Sequence, residues 1–263
     1  MRLSEEQIKR IKKLSKEGES LRHISKELGI NLTTIYYYTR KIHGKRFISF
    51  NPISWNPIEI GEVIGAFAGD GSYYNSKYGR ASHHICRFHF NKQEMDYVNS
   101  IYSVLKRASL NPFLIMQKNK NGVDVKINSK EFASYVKGYL EWEGIKAHSV
   151  HLKPELLKGN PDFLVGFAIG LMRSDGSVKK NLITFISTSR LLRDNLSDIL
   201  NFLSIDHCCY ISRDNRSNRK DRYHLRIYAR SIERFFKFYN MGLLGFEPKS
   251  DAPHAPMLDQ ATP

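Results

Sequence analysis

Two aspartates, Asp70 and Asp175, carry the chemistry this sequence offers most plainly. Each opens an Asp-Gly-Ser triplet at the end of an apolar stretch, and the two stand roughly one hundred residues apart. A lone Asp-Gly is a turn pair that closes a helix. Two copies in one setting point instead to a shared site. Carboxylates brought together repel and take up a proton unless a cation offsets them, and Mg2+, which takes oxygen ligands and keeps several waters, suits such a pair.

The elements that would position them are written in small residues. Gly61, Gly65 and Gly69 recur every fourth residue before Asp70, and Gly166, Gly170 and Ser174 do so before Asp175. At helical spacing each set forms one nearly bare face. A helix-interior glycine costs about 1 kcal/mol against alanine, so such a set needs a packing reason. Ordinary helices pack roughly 8–10 Å apart, and bare faces allow a closer approach. The stripes predict two parallel helices in contact, 58–69 and 162–174, with Gly61, Gly65, Gly166 and Gly170 at the interface and the aspartates meeting at the ends.

Each motif is followed by the same succession. In the first copy come a strand "HHICRFHFN", a helix from Gln93 to Ala108, strands "FLIMQKN" and "GVDVKIN", and a helix from Lys130 to Trp142. In the second come "LITFIST", a helix from Ser189 to Leu203, "HCCYISRD", "YHLRIYA" and a helix from Ser231 to Leu244. With one further strand after each motif helix, both units read α-β-β-α-β-β-α. An internal repeat of this kind decides the fold class: α+β, a pseudo-twofold pair at 58–150 and 151–250.

"VIGAFAGDG" (63–71) and "AIGLMRSDG" (168–176) resemble the two motifs of a monomeric LAGLIDADG homing endonuclease, over roughly Pro57 to Phe246. The resemblance implies antiparallel DNA-binding saddle sheets and a site-specific endonuclease that hydrolyses one phosphodiester on each strand. It implies Mg2+ as cofactor, with Ca2+ supporting binding without cleavage. Asp70 and Asp175 match the acidic position that binds metal and scissile phosphates, with Gly69 and Ser174 beside them in the metal set. Asn91 and Lys92 match a Gln-Lys pair that orders solvent; in the second copy "STSR" leaves Arg190 as the nearest basic residue. Ala68 and Arg173 depart from the motif at an earlier, usually structural, acidic position.

The strands alternate as a DNA-reading sheet requires. Arg222, His224, Arg226, Tyr228 and Arg230 share one face, opposite Tyr223, Leu225, Ile227 and Ala229. Arg87, His89 and Asn91 oppose Cys86, Phe88 and Phe90, and Lys126 and Asn128 oppose Val123, Val125 and Ile127. A major groove admits a β-ribbon, where arginine pairs with guanine and asparagine with adenine. Lys118, Lys120, Arg213, Arg216, Arg219 and Lys220 lie in hairpin loops and are assigned to DNA contact.

Residues 1–46 carry three short helical patterns, with Ser4 and Gln7 in capping-box spacing, Ser20 before the second helix and Asn31 before the third. "LRHISKELGINLTTIYYYTRKI" resembles the helix-turn-helix of resolvase-type DNA-binding domains, placing Asn31, Thr33, Thr34 and Tyr37 at the groove-facing start of the third helix. This small all-α domain is followed by an extended linker at 47–57; residues 251–263 read as a flexible tail.

Composition agrees. Across 263 residues, 41 Lys and Arg against 26 Asp and Glu leave a net charge of +15, which favours a polyanion. The longest apolar run, Phe163–Met172, is about half of the roughly 20 residues a membrane helix needs, so no membrane partner is expected. The start, MRLSEEQIKR, lacks a secretory apolar region, pointing to the cytoplasm or an organellar matrix. Cys86, Cys208 and Cys209 form no CxxC pair and read as buried thiols. The expected partner is a long, partly asymmetric DNA duplex bound by a monomer. The alternatives are an intron-RNA maturase and a cleavage-inactive DNA-binding regulator; the terminal splicing residues of an intein are missing.

Overall fold

The computed structural model describes residues 3–17, 19–39, 50–78, 81–118, 121–213 and 220–244. They fall into two compact units, 1–49 and 50–263. The tail at 251–263, Lys120, Arg216 and Arg219 lie outside the described residues.

The smaller unit holds α1 (Glu5–Lys16), α2 (Leu21–Leu28) and α3 (Leu32–Thr39). Ser4 and Gln7 close a capping box on α1, and Ser20 caps α2. Gly29 ends α2 in the left-handed region at φ 63°, a conformation glycine takes without steric cost. Ile11, Ile24, Ile30 and Ile35 form its core.

In the larger unit, α4 (Pro57–Asp70) leads into β1 (Gly71–Tyr78), β2 (Ala81–Asn91), α5 (Met95–Arg107), β3 (Phe113–Met116), β4 (Gly122–Asn128) and α6 (Lys130–Tyr139). A connecting segment follows, with β5 (Leu140–Glu141), α7 (Lys146–Ser149) and β6 (His151–Leu152). The second copy is α8 (Pro161–Ser174), β7 (Gly176–Lys179), β8 (Leu182–Ser187), α9 (Arg190–Phe202), β9 (His207–Ser212), β10 (Arg222–Ile227) and α10 (Ile232–Tyr239). Among the described residues these strands form two four-stranded antiparallel sheets, ordered β1-β2-β4-β3 and β7-β8-β10-β9, and a two-stranded one, β5-β6. The repeat α-β-β-α-β-β-α and the α+β class are as the sequence indicates.

The motif helices form the centre of the larger unit. A Cβ built on Gly61 would fall on the Phe163 carbonyl oxygen, one on Gly65 on that of Phe167, and one on Gly69 on Ser174 Oγ. From the other side, Gly166 faces the Ile58 carbonyl and Gly170 that of Glu62. The rising partner numbers show that α4 and α8 run parallel. The remaining faces of both helices carry apolar side chains into one core spanning both repeats, from Phe88, Val125 and Phe132 to Phe185, Leu225 and Phe235.

Two expectations change. Residues 50–56 are no extended linker. Trp55 is buried, its indole N–H donating to the Val104 carbonyl at 2.8 Å, and Phe50 packs edge-on against Trp55, Phe132 and Tyr135. The large rings override the Asn-Pro breaks around them. Of the cysteines, Cys86 is buried, but Cys208 is half-buried and Cys209 exposed. They lie on β9, the edge strand of its sheet among the described residues.

Substituting Gly65 or Gly170 with valine forces backbone apart, and we expect losses of about 3 kcal/mol or more in denaturant unfolding. Gly138, in α6, has open space around its Cβ direction, so Gly138→Ala should instead gain about 0.5–1 kcal/mol.

Candidate active site

Asp70 is the last residue of α4, and Asp175 caps α8 with its N–H on the Leu171 carbonyl. The bare helix faces bring these ends together: a Cβ on Gly69 would lie 3.3 Å from the Asp175 carboxyl carbon. Burial is the main cause that raises the Asp70 carboxyl to about 7, with the Asp175 charge adding to it. Burial likewise raises Asp175 to about 6, against the lowering influence of Lys146. The two helix C-termini add their partial negative charge at the same point.

Lys146, on α7, answers this charge, and the sequence reading did not single it out. Its Nζ donates to the carbonyls of Phe67, Ala68 and Gly69 at 2.8, 2.6 and 3.2 Å, closing the end of α4. Burial lowers its ammonium to about 8, while both aspartates pull it the other way. The available signal in the sequence was positional: a lysine in the segment joining the repeats.

The donor set fits a hard divalent cation, because Lys146 compensates the two half-buried carboxylates only in part and both keep raised pKa values. Among the described residues no group of three or more His, Cys, Asp or Glu is arranged to hold a metal ion. Gly69 and Ser174 have other partners. The Gly69 carbonyl accepts from Lys146, and Ser174 Oγ donates back to the carbonyls of Gly170 and Leu171.

Among the basic residues expected at the site, Arg190 is a correction. It is exposed at the first turn of α9 and pairs with Asp194 at 3.5 Å, because Ser189 caps the helix and turns the chain outward. Arg222 on β10 lines a cleft with Gly69 and Asp175 instead. Lys92 is exposed just past β2, and the groups whose charge acts on Asp70 are Asp175, Glu94, Lys146 and His89. Asn91 Oδ1 accepts from the Gln93 N–H, so that side chain caps a short turn. Arg173 is structural: its guanidinium sits over the rings of Tyr97 and Tyr239, donates to the Leu244 carbonyl, and lies 3.5 Å from buried Glu62.

The sheets present the alternation the sequence predicts, with differences. Arg87, Lys126 and Asn128 share the outward face of the first sheet, and Cys86, Phe88, Val125 and Ile127 are buried behind it. Arg222, His224 and Arg226 do the same in the second sheet. His224 stacks on Tyr210 with ring centroids 4.6 Å apart. Tyr228 and Arg230 are corrections: β10 ends at Ile227, the chain turns, and Arg230 pairs with Asp206 at 2.8 Å. His89 has both ring nitrogens engaged, by Ser72 and by Asp124, so it is no free base reader. The outward faces also carry apolar groups: Phe113 and Ile115 in the first, Leu182 and Ile186 in the second. In the smaller unit, Thr33 and Tyr37 are exposed and Thr34 is half-buried, whereas Asn31 caps α3 by accepting from the Thr33 N–H.

Comparison with known proteins decides the fold. Residues 162–239 match the LAGLIDADG-like domain family. A mesophilic variant of the homing endonuclease I-DmoI superposes with a TM-score of 0.56 at 16% identity, covering 71% of this chain and 96% of that one. I-DmoI with DNA and Ca gives a TM-score of 0.57 at 16% identity, covering 73% and 94%, and I-DmoI with DNA and Mn gives 0.55 at 17%, covering 73% and 99%. This is the LAGLIDADG homing-endonuclease fold. No curated protein matches the chain in sequence. Among the described residues, no helix of this LAGLIDADG-fold protein is long and apolar enough to cross a membrane.

The raised carboxyls imply a pH dependence. Between the unfolded aspartate value of 3.8 and the folded values of about 6 and 7, the folded state binds more protons than the unfolded one. Stability of the metal-free protein should therefore fall as pH rises through that window. Thermal melts without divalent metal should show this slope flattened in the Asp70→Asn, Asp175→Asn double variant. An equal slope in both proteins would place its origin elsewhere.

Proposed function

We propose that the protein is a site-specific DNA endonuclease that hydrolyses one phosphodiester on each strand, with divalent metal held by Asp70 and Asp175. The observation that carries this reading is the meeting of two carboxylates, from equivalent ends of two repeated helices, beside two sheets with basic outward faces. Mg2+ is the cofactor we expect, with Ca2+ supporting binding alone. Metal held there would supply Lewis-acid stabilisation of the charge that builds on the phosphate and the leaving O3′. Asp70 and Asp175 hold and orient; Lys146 fixes the end of α4 and keeps positive charge beside the phosphates; Arg222 stands on the Asp175 side of the cleft. No protein nucleophile is required.

The duplex partner follows from the same faces. Arg87, Lys126, Arg222 and Arg226 offer guanine or phosphate contacts, and Asn128 offers adenine contacts. Phe113, Ile115, Leu182 and Ile186 suit thymine methyls. Because the two faces differ residue by residue, the target is asymmetric, and one chain carries both halves, as a monomer. The helix-turn-helix unit extends the contact on one flank through Thr33, Thr34 and Tyr37. Retention of both aspartates together with Lys146 argues against a cleavage-inactive regulator.

Selection of cleaved sites from a random duplex library in Mg2+ tests the reading, with intron RNA as a competitor. Asp70→Asn or Asp175→Asn should abolish cleavage while binding in Ca2+ survives; normal double-strand cutting by either variant would overturn the paired site. Deleting residues 1–46 should weaken binding or shorten the footprint on one flank and leave the cut position unchanged, as read by footprinting. An unaltered footprint would remove that unit from the DNA interface.

A further inference from the structure

On the outward face of the first sheet, Ser72, His89 and Asp124 form one hydrogen-bonded chain. Ser72 Oγ lies 2.8 Å from His89 Nε2, and His89 Nδ1 lies 2.9 Å from Asp124 Oδ1. Gln117 Nε2 donates to the same Asp124 oxygen at 2.9 Å. Strand register builds the chain: His89 pairs with Asp124 across β2 and β4, and Ser72, paired with Arg87, is a diagonal neighbour of His89. Asp124 is buried, which fixes the imidazole from below.

The chemistry of the donors sets its polarity. An ionised carboxylate only accepts, so in the neutral imidazole Nδ1 carries the proton and Nε2 is left as acceptor. The Ser72 hydroxyl then donates to Nε2, and the free lone pairs of its oxygen can only accept. A water beside Ser72 would donate to Oγ and present its own lone pair elsewhere. Ser72 is two residues beyond Asp70, and because Gly71 pairs with Phe88, His89 is the residue of β2 that comes level with Asp70.

The second repeat breaks this chain. Gly176 pairs with Phe185 as Gly71 pairs with Phe88, which makes Ser177 the counterpart of Ser72 and Ile186 that of His89. Across from Ile186 stands His224, where the first repeat has Asp124. An isoleucine neither accepts from serine nor passes polarity from a carboxylate.

We propose that Ser72, aligned by His89 and Asp124, orients the attacking water for the phosphodiester on the Asp70 side, so that the two strands are cut by unequal machinery. This rests on the endonuclease reading above. Ser72 touches the attacking water; His89 and Asp124 are positioning residues acting through it. The water oxygen bonds to phosphorus as the P–O3′ bond breaks, and O3′ leaves with the bonding pair. By exchange with solvent, one water proton ends on O3′ and the other in solution.

The test uses the full chain and the library-selected duplex, end-labelled on either strand, in single-turnover cleavage with Mg2+. His89→Ala and Ser72→Ala should slow the cut on one strand by about 10- to 100-fold, the range for losing an outer-shell partner, and leave the other strand unchanged. Affinity for the duplex in Ca2+ should be unaltered, and His89→Gln, which keeps an acceptor for Ser72, should recover part of the rate. Equal slowing of both strands, loss of binding, or no effect would overturn the proposal while leaving the endonuclease reading intact. An unaltered protein that cuts neither strand would overturn both. Independently of metal and DNA, 15N NMR should show His89 as the Nδ1–H tautomer, a preference lost in Asp124→Ala, which removes the acceptor; the opposite tautomer in the unaltered protein would also overturn it.

Discussion

The contact of α4 with α8 along their glycine faces is the constraint on which the rest of the molecule depends. Backbone meets backbone there, with carbonyls of Ile58, Glu62, Phe163 and Phe167 occupying the places where side chains would stand. Any larger residue at Gly61, Gly65, Gly166 or Gly170 would have to push backbone aside, so the contact also fixes the register of the two helices. Because register is fixed, both helices end at the same level, and the residue that ends each is an aspartate. The apolar sides of the same helices then serve as the common wall of both repeats' cores, so the sheets inherit their placement from the pair.

That arrangement concentrates negative charge. Two carboxylates and two helix C-termini converge, and in a half-buried place such charge is poorly screened. The raised values of Asp70 and Asp175 express this cost, and Lys146 offsets part of it by closing three carbonyls of α4. What remains uncompensated is suited to a divalent cation, whereas the sheet faces around it are basic. Centre and surround thus have opposite signs.

The pseudo-twofold symmetry is a symmetry of backbone more than of side chains. Arg173, which holds Glu62, Tyr97 and Tyr239 together, has Ala68 as its counterpart, against which Lys146 rests. The Ser72–His89–Asp124 chain has Ser177, Ile186 and His224 as its counterparts in the other half. Helix register sets the two helix-end aspartates level with each other, while the sheet faces carry different residues in the two repeats.

The order of elements, the repeat, the glycine stripes and the pairing of Asp70 with Asp175 were all determined by the sequence alone, because each rests on local periodicity or on a spacing within one helix. The buried-versus-outward split of β2 and β4 was legible for the same reason: alternate residues of a strand face opposite sides whatever the context. Tertiary structure decided the rest. Lys146 reaches the site across the segment between repeats, and no local pattern marks a side chain whose partners are carbonyls nearly eighty residues away. Arg190, in the first turn of a helix the sequence does place, is taken up by Asp194; Arg230 falls outside because β10 stops short, and Asn91 is taken up by a cap. His89 reads as a base-contacting residue until the register of three strands sets Ser72 and Asp124 at its two nitrogens. Side chains compete for partners that only the folded chain brings near, and that competition is invisible along the sequence.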